Sequence, residues 1–186
     1  KLRIEQAVAK YGSAHNEVAF IKKWRAGHLE DVTLKSGHNT VETSEIPFEV
    51  KATLHTHPFY ELSKSSEAEI GNMRLNCLAS PPDLKRFFKR LSLVKEVNVP
   101  YLHIAVSDLG GGLRGYTTLY ATKKFIQNYV FDEGLRRKIY DFSRPDFEHS
   151  RESTFEFYEL LKKNGLKIRY TPMPGYKVET GIFMKK

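Results

Sequence analysis

Residues 54–58 read LHTHP and residues 80–84 read SPPDL, and these two segments decide how the chain is interpreted. His55 and His57 are two residues apart, so on an extended strand both imidazoles leave the same face. Residues 48–55 alternate apolar and polar side chains, which predicts that strand. Two imidazoles on one face can bind a divalent metal, and a carboxylate from elsewhere would add a third ligand. A His-x-His pair also arises by chance, so the sequence must supply the rest of the site.

The segment Ser-Pro-Pro-Asp, residues 80–83, supplies the candidate carboxylate, Asp83. The same segment is a typical helix start. Serine is a preferred N-cap, proline suits the first turn, and an acid at the third position can close a capping box. Residues 84–94 then predict an amphipathic helix with an apolar stripe and a basic outer face. A helix start is rigid enough to hold a ligand, so capping and metal binding are compatible.

Taken together, HTHP and SPPD resemble the motif of the JAMM (JAB/MPN-type) zinc metalloproteases. That family pairs a His-x-His-Pro strand end with Ser-x-x-Asp and with a glutamate on an earlier strand. The resemblance implies one α/β domain, a mixed β-sheet flanked by helices, over residues 1–186. It also implies that His55, His57 and Asp83 hold Zn²⁺. It covers about residues 17–121, and the extension over residues 122–186 carries no recognised motif.

The resemblance gives roles to two further residues, Glu17 and Ser80. The family's glutamate lies on a strand after the first helix and ahead of the histidine strand, and Glu17 opens such an apolar stretch, residues 17–21. Glu17 would take a proton from the metal-activated water and pass it to the leaving amine. Ser80 would donate a hydrogen bond to the oxyanion of the tetrahedral intermediate. Three rival glutamates lie in a predicted loop or on the histidine strand: Glu42, Glu45 and Glu49.

The Ser-x-x-acid half of the motif has two possible positions. The commonest family spacing leaves seven residues after the proline, which here leads to Ser66 and Glu69. Ser80 and Asp83 require 21 intervening residues, so the chain departs from the pattern on either choice. We favour Asp83 because aspartate matches the family's ligand and begins a strongly periodic helix. Residues 59–79 would then be an insertion without clear periodicity that borders the site and gates or selects substrate.

Length and composition restrict the class of protein. A chain of 186 residues with 40% hydrophobic content suits one globular domain. The single cysteine, Cys77, excludes an internal disulfide framework and the multi-cysteine zinc site of nucleobase deaminases. The sequence has no apolar run of about 18 residues and no signal-peptide pattern. We therefore expect an intracellular protein, cytoplasmic or nuclear, without a membrane segment.

The net charge of +8 would suit an acidic partner such as nucleic acid. The basic residues form short clusters, none of which has the interleaved aromatic residues and glycines of a single-strand-binding platform, so solvated helix surface is the favoured interpretation. These clusters lie at residues 85–90, 123–124, 136–138 and 162–163. The main hypothesis is a zinc metallopeptidase that cleaves an amide or isopeptide bond in a protein or peptide, such as a ubiquitin-like conjugate. The alternatives are a non-catalytic JAB/MPN-like scaffold and a basic nucleic-acid-associated protein.

Other patterns predict the remaining elements. A short helix is expected over residues 4–11, a strand at 29–34, a turn at 36–39 and a hairpin formed by 101–107 and 116–121. The last third predicts two helices, the second opened by a Ser153–Glu156 capping box, and short strands at 166–170 and 176–183. The other histidines have no spaced partner and are interpreted as structural: His15, His28, His38, His103 and His149.

Overall fold

A computed structural model of the chain describes residues 16–25, 28–38, 50–59, 66–91, 101–108, 112–144 and 146–186. These residues form eight strands and five helices. The strands are β1 (Asn16–Arg25), β2 (His28–His38), β3 (Val50–Phe59), β4 (Tyr101–Asp108), β5 (Leu113–Ala121), β6 (Leu166–Pro172), β7 (Tyr176–Glu179) and β8 (Ile182–Lys185). The helices are α1 (Glu67–Asn76), α2 (Pro81–Leu91), α3 (Lys123–Phe131), α4 (Glu133–Phe142) and α5 (Arg151–Lys163).

Six of the strands form one mixed sheet in the order β2-β1-β3-β4-β5-β6. Every neighbouring pair is antiparallel except β3 and β4, which are parallel. A parallel pair requires a crossover connection, and α1 and α2 belong to the segment that makes it. The histidine strand β3 therefore lies inside the sheet, and the chain leaves its carboxyl end for the α1–α2 segment. Strands β7 and β8 form a separate antiparallel hairpin.

The hydrophobic core fixes the position of α2. Its apolar residues recur at helical spacing and are buried as one stripe: Leu84, Phe87, Phe88 and Leu91. The ring of Phe88 lies 6.2 Å from those of both Phe125 on α3 and Phe157 on α5. Ile104 of β4 and Leu119 of β5 belong to the same cluster. Full burial of one such side chain stabilises a fold by about 1.5–3 kcal/mol, so this stripe holds α2 firmly.

The expected α/β architecture, a mixed sheet flanked by helices, is confirmed. Its assignment to the JAB/MPN-like class stays a prediction. The predicted strands at 17–21 and 29–34, the histidine strand and the hairpin all form, with wider bounds. The helix expected over residues 4–11 and the rival glutamates Glu42, Glu45 and Glu49 lie outside the described residues. No helix built from the described residues is both long and apolar enough to cross a bilayer.

Two predictions for the first half of the chain are wrong. Residues 59–79 were expected to lack a regular element, yet α1 begins at Glu67 within them. The helix has no periodic signature because polar and apolar residues are not segregated along it, and Gly71 is its only buried residue. Residues 36–38 continue β2 instead of forming a turn.

The last third differs from its prediction in three respects. It holds three helices, because α3 was missed. The capping box of α5 pairs Ser150 with Ser153, not Ser153 with Glu156, since each serine hydroxyl accepts the other's backbone N–H at 3.0 Å. Residues 176–183, expected as one strand, bend back as the β7–β8 hairpin. Thr180 and Gly181 turn the chain there with positive φ of 48° and 85°.

Candidate metal site

His57 lies near the carboxyl end of β3 and is largely buried, with its side chain 13% exposed. Its Nδ1 is 3.1 Å from the backbone carbonyl of Asn76, the last residue of α1. A carbonyl can only accept, so Nδ1 carries a proton, and in the neutral imidazole Nε2 then carries the lone pair. A second hydrogen bond of this kind fixes the tautomer and orientation of metal-binding histidines in proteins.

Asp83 faces His57 from the third position of α2. The residue is 8% exposed, and its Oδ2 lies 3.7 Å from Nε2 of His57. Ser80 donates to the same Oδ2 twice, from its backbone N–H at 2.9 Å and from its hydroxyl at 2.5 Å. Nη1 of Arg86 lies 3.9 Å from Oδ1 on the other side. Two hydrogen bonds from Ser80 thus orient this buried carboxylate.

The separation between His57 and Asp83 suits two ligands of one metal ion. A distance of 3.7 Å is too long for a hydrogen bond. Zinc binds imidazole and carboxylate at about 2.0–2.2 Å in tetrahedral geometry, which places two such ligand atoms roughly 3.4 Å apart. A neutral imidazole and an oriented carboxylate are also the donor types that zinc accepts. The separation between these two atoms is therefore compatible with a shared metal ion.

His55 is located only by its backbone. In β3 it pairs with Ala19 of β1 on one side and Ile104 of β4 on the other, so it lies at the centre of the sheet. Its side chain lies outside the described part of the chain. Among the residues that are described, no group of three His, Cys, Asp or Glu side chains gathers to hold a metal. The role of His55 as the third zinc ligand stays a prediction.

Glu17 lies in β1, as the sequence predicted, and its side chain is likewise outside the described part. The β1–β3 ladder is antiparallel and includes Ala19 with His55. Continuing the same register by two residues would bring Glu17 opposite His57. The β1–β2 pairing shifts register between Asn16 and Val18, so Glu17 lies at an irregularity of its strand.

The rival pair, Ser66 and Glu69, forms a helix cap on the surface. Ser66 is the N-cap of α1, and its hydroxyl accepts the Glu69 N–H at 3.2 Å. The Glu69 carboxylate accepts the Ser66 N–H at 3.0 Å in return. Both hydrogen bonds are exposed, and both close within the first turn of α1. Local capping therefore accounts for both members of this Ser-x-x-Glu.

Tyr158 supports the segment that leads into α2, and sequence reasoning did not single it out. Its side chain is 1% exposed, and its hydroxyl donates to the backbone carbonyl of Ala79 at 2.7 Å. Burial, followed by the nearby charge of Asp83, raises the pKa of Tyr158 well above its usual range. In the sequence, Tyr158 is visible only as one of the apolar positions of the amphipathic helix α5. Asn76 was missed because its backbone carbonyl, which any residue could supply, makes the contact.

Two other histidines have described side chains, His103 and His149, and neither lies in the site. Nδ1 of His103 is 2.9 Å from the hydroxyl of Thr118 on the neighbouring strand, which agrees with a structural role. His149 is exposed and contacts the rings of Phe142 and Phe147. Partial burial lowers the pKa of His149.

The comparisons with known proteins add no relative. No family model matches the chain, and no match appears among curated proteins or among solved structures.

Proposed function

We propose that the protein is a zinc-dependent metallopeptidase of JAMM type that hydrolyses an amide or isopeptide bond. The observation that supports the proposal is the facing pair of His57 and Asp83, with 3.7 Å between Nε2 and Oδ2. The pair joins both halves of the HTHP and SPPD motif, although 25 residues separate its members in the chain. His55, His57 and Asp83 would hold Zn²⁺, and the substrate would be a protein or peptide, such as a ubiquitin-like conjugate.

The chain's own residues would orient the reacting groups. Bound zinc would lower the pKa of a coordinated water to about 7, which makes hydroxide available at neutral pH. The backbone carbonyl of Asn76 would accept a hydrogen bond from Nδ1–H of His57 and so hold the neutral ring in the tautomer whose Nε2 lone pair can bind a metal. Glu17 would accept the proton of the attacking water and deliver it to the leaving amine. Its place one strand away from the histidines suits that role.

Ser80 has two competing roles in this proposal. Its single hydroxyl proton is donated to Oδ2 of Asp83, so donation to a substrate oxyanion would require the hydroxyl to rotate. If Ser80 only orients Asp83, Ser80→Ala weakens zinc binding and lowers turnover together. If it stabilises the oxyanion, turnover falls by about a hundredfold or more while zinc binding is retained.

We also propose that the segment of residues 59–79, which contains α1, gates or selects substrate. Residues 59–79 contain α1, and the last residue of that helix accepts the His57 hydrogen bond. A substrate that displaces α1 would therefore disturb His57 directly. This coupling supports the hypothesis that the segment gates or selects substrate.

The decisive experiment measures zinc content and turnover on the same samples. We expect the purified protein to bind close to one zinc, and His57→Ala to lose most of it, because a catalytic site needs three protein ligands. His149→Ala is the matched control, since His149 is an exposed histidine outside the site. Zinc content that is equal in the two variants would contradict the metal site.

Glu17→Gln separates metal binding from catalysis. The amide keeps the shape of the carboxylate but cannot accept a proton, so zinc should remain while cleavage of ubiquitin chains or peptides falls by about a hundredfold or more. Loss of zinc would make Glu17 a ligand instead. Full zinc occupancy with no hydrolysis by the unmodified protein would favour the non-catalytic scaffold.

A further inference from the structure

Strand β6 lies at one end of the six-stranded sheet. Of the described strands, only β5 pairs with it, in an antiparallel register that places Ala121 opposite Leu166 and Gly115 opposite Pro172. The other edge of β6 therefore has no strand partner within the described sheet. The backbone N–H and C=O groups along such an edge can pair with an extended segment of another chain.

A groove of about 670 Å³ follows this edge of β6. Two of its lining residues, Ile168 and Tyr170, lie on the side of the strand that packs against the core. Two others, Lys167 and Arg169, alternate with them and so lie on the opposite side. Residues from both sides of one strand meet in a single groove only at the margin of a sheet. We name this region the β6 groove.

The outer side of the β6 groove is basic. Lys167 and Arg169 are exposed, and neither forms an ion pair with a carboxylate in the described part of the chain. Strands β5 and β6 contain no acidic residue. Lys162, at the end of α5, also lines the groove, but its partner Glu159 neutralises it. The remaining positive charge comes from two cations on one strand face.

The inner side of the β6 groove is apolar. Ile168 and Tyr170 are partly buried against the core, and Val178 of β7 adds a wall that is 36% exposed. The ring of Tyr170 lies 6.1 Å from that of Phe183 on β8, a contact that holds the β7–β8 hairpin beside β6. The side chains of a strand alternate between its two faces. An added strand would therefore meet cations on one face and apolar side chains on the other.

We propose that the β6 groove binds an extended segment of a partner protein in which acidic and apolar residues alternate. The segment pairs through its backbone with the edge of β6. Its acidic side chains lie opposite Lys167 and Arg169, because opposite charges that face each other across neighbouring strands stabilise the pairing. Its apolar side chains lie on the side of Ile168 and Val178, where they cover exposed apolar surface.

A second copy of this chain fits the β6 groove less well. In an antiparallel pair of two β6 strands centred on Ile168, Lys167 of each copy would face Arg169 of the other. Like charges directly opposite each other destabilise a sheet. Charged side chains on edge strands prevent self-association in this way, and they do not prevent pairing with an acidic segment.

A nucleic acid also fits the β6 groove less well. Its phosphates would meet the cations Lys167 and Arg169 on the outer side. The backbone groups along the edge of β6 and the apolar side chains of Ile168 and Val178 would gain no matching partner. An extended peptide uses all three features of the groove at once.

The inference does not depend on the proposed zinc site. Strands β4 and β5 separate β6 from the histidine strand β3, and binding can be measured without zinc and without cleavage. The probe is a labelled peptide of about ten residues in which glutamate and valine alternate, since strands of this length are common. A second peptide has the same composition, with all glutamates first and all valines after them. Fluorescence anisotropy measures the affinity of the full chain for each peptide.

Charge reversal tests the position of the contact. Lys167→Glu/Arg169→Glu should weaken binding of the alternating glutamate–valine peptide by about tenfold or more, and should create binding of an alternating lysine–valine peptide. Arg137→Glu/Lys138→Glu is the matched control, because it changes the charge equally on the exposed surface of α4, outside the groove. The control should change neither affinity by more than about twofold at 150 mM salt. Circular dichroism verifies that each variant is folded.

Backbone pairing is tested by N-methylation of the alternating peptide. One series carries the methyl groups on the glutamates and the other carries them on the valines. Successive N–H groups of a strand point to opposite edges, so one series loses its donors toward β6 and should bind about tenfold or more weakly. The other series should bind as the parent peptide does.

Several results would overturn the proposal. One is the absence of binding to the alternating peptide, and another is equal binding of the peptide with separated glutamates and valines. Equal losses in the two charge variants would reduce the effect to net charge. Parent-like binding by both N-methylated series would exclude strand pairing. An oligonucleotide of about 20 nucleotides that binds more tightly than the peptide, and loses binding in the Lys167/Arg169 variant, would assign the groove to nucleic acid.

Discussion

Helices α1 and α2 begin with the same local pattern but in different surroundings. Each is preceded by a serine and carries an acid at its third position, Glu69 in α1 and Asp83 in α2. In both helices the serine backbone N–H donates to that acid, at 3.0 Å and 2.9 Å. Glu69 is half-buried and its capping hydrogen bonds are exposed, whereas Asp83 is buried against His57. The Ser-x-x-acid cap thus forms through local hydrogen bonds in both helices. The surroundings of each helix start then decide whether the acid can also bind a ligand.

The next residue in each helix explains the difference in surroundings. Ile70 follows Glu69 and is 39% exposed, whereas Leu84 follows Asp83 and is fully buried. Leu84 begins the apolar stripe that packs α2 into the core, and α1 has no such stripe. Core packing therefore holds the Asp83 carboxylate in place opposite β3.

The largest effect is expected from removing the anchor of α2. Leu84→Ala should lower the free energy of unfolding by about 2–5 kcal/mol, because it removes a fully buried side chain and leaves a cavity. Ile70→Ala at the equivalent position of α1 should cost less than about 1 kcal/mol. Denaturant unfolding of the two variants measures both values. Equal costs would mean that the two helix starts are anchored alike.

The next effect concerns the acids themselves. Asp83→Asn should weaken zinc binding by about a hundredfold or more, since the amide is a poor substitute for an anionic ligand. Glu69→Gln should leave zinc affinity nearly unchanged, because its carboxylate is used within the α1 capping box. Competition with a chelator of known affinity measures both constants. The reverse result would identify Ser66 and Glu69 as the motif and reduce SPPD to a helix cap.

The smallest effect is expected from the two serines. Ser66→Ala should cost about 1 kcal/mol of stability through the lost cap. Ser80→Ala should cost a similar amount and also weaken zinc binding by about tenfold, because Asp83 loses one of its hydrogen-bond donors. Thermal unfolding and the chelator competition separate the two quantities. If Ser66→Ala changed zinc affinity as much, the distinction between the helix starts would be wrong.

The elements with strong periodicity were predictable from the sequence. The α2 helix and the strands β3, β4 and β5 follow alternations that the residues carry themselves. Helix α1 was missed because its stability comes from its cap and its contacts and not from a segregated apolar face. The cap of α5 was assigned to the wrong residue, since Ser150 and Ser153 both have side chains that can close a box.

The sequence by itself determined that two histidines share a strand face and that Asp83 opens a helix, because strand alternation and helix capping act over a few residues. Only the tertiary structure decided that Asp83, and not Glu69, faces His57. That outcome depends on the burial of the α2 stripe in the core, where Phe88 contacts α3 and α5, and on the crossover between β3 and β4. Contacts of this kind join residues far apart in the chain, and their free energy comes from packing that no short motif encodes.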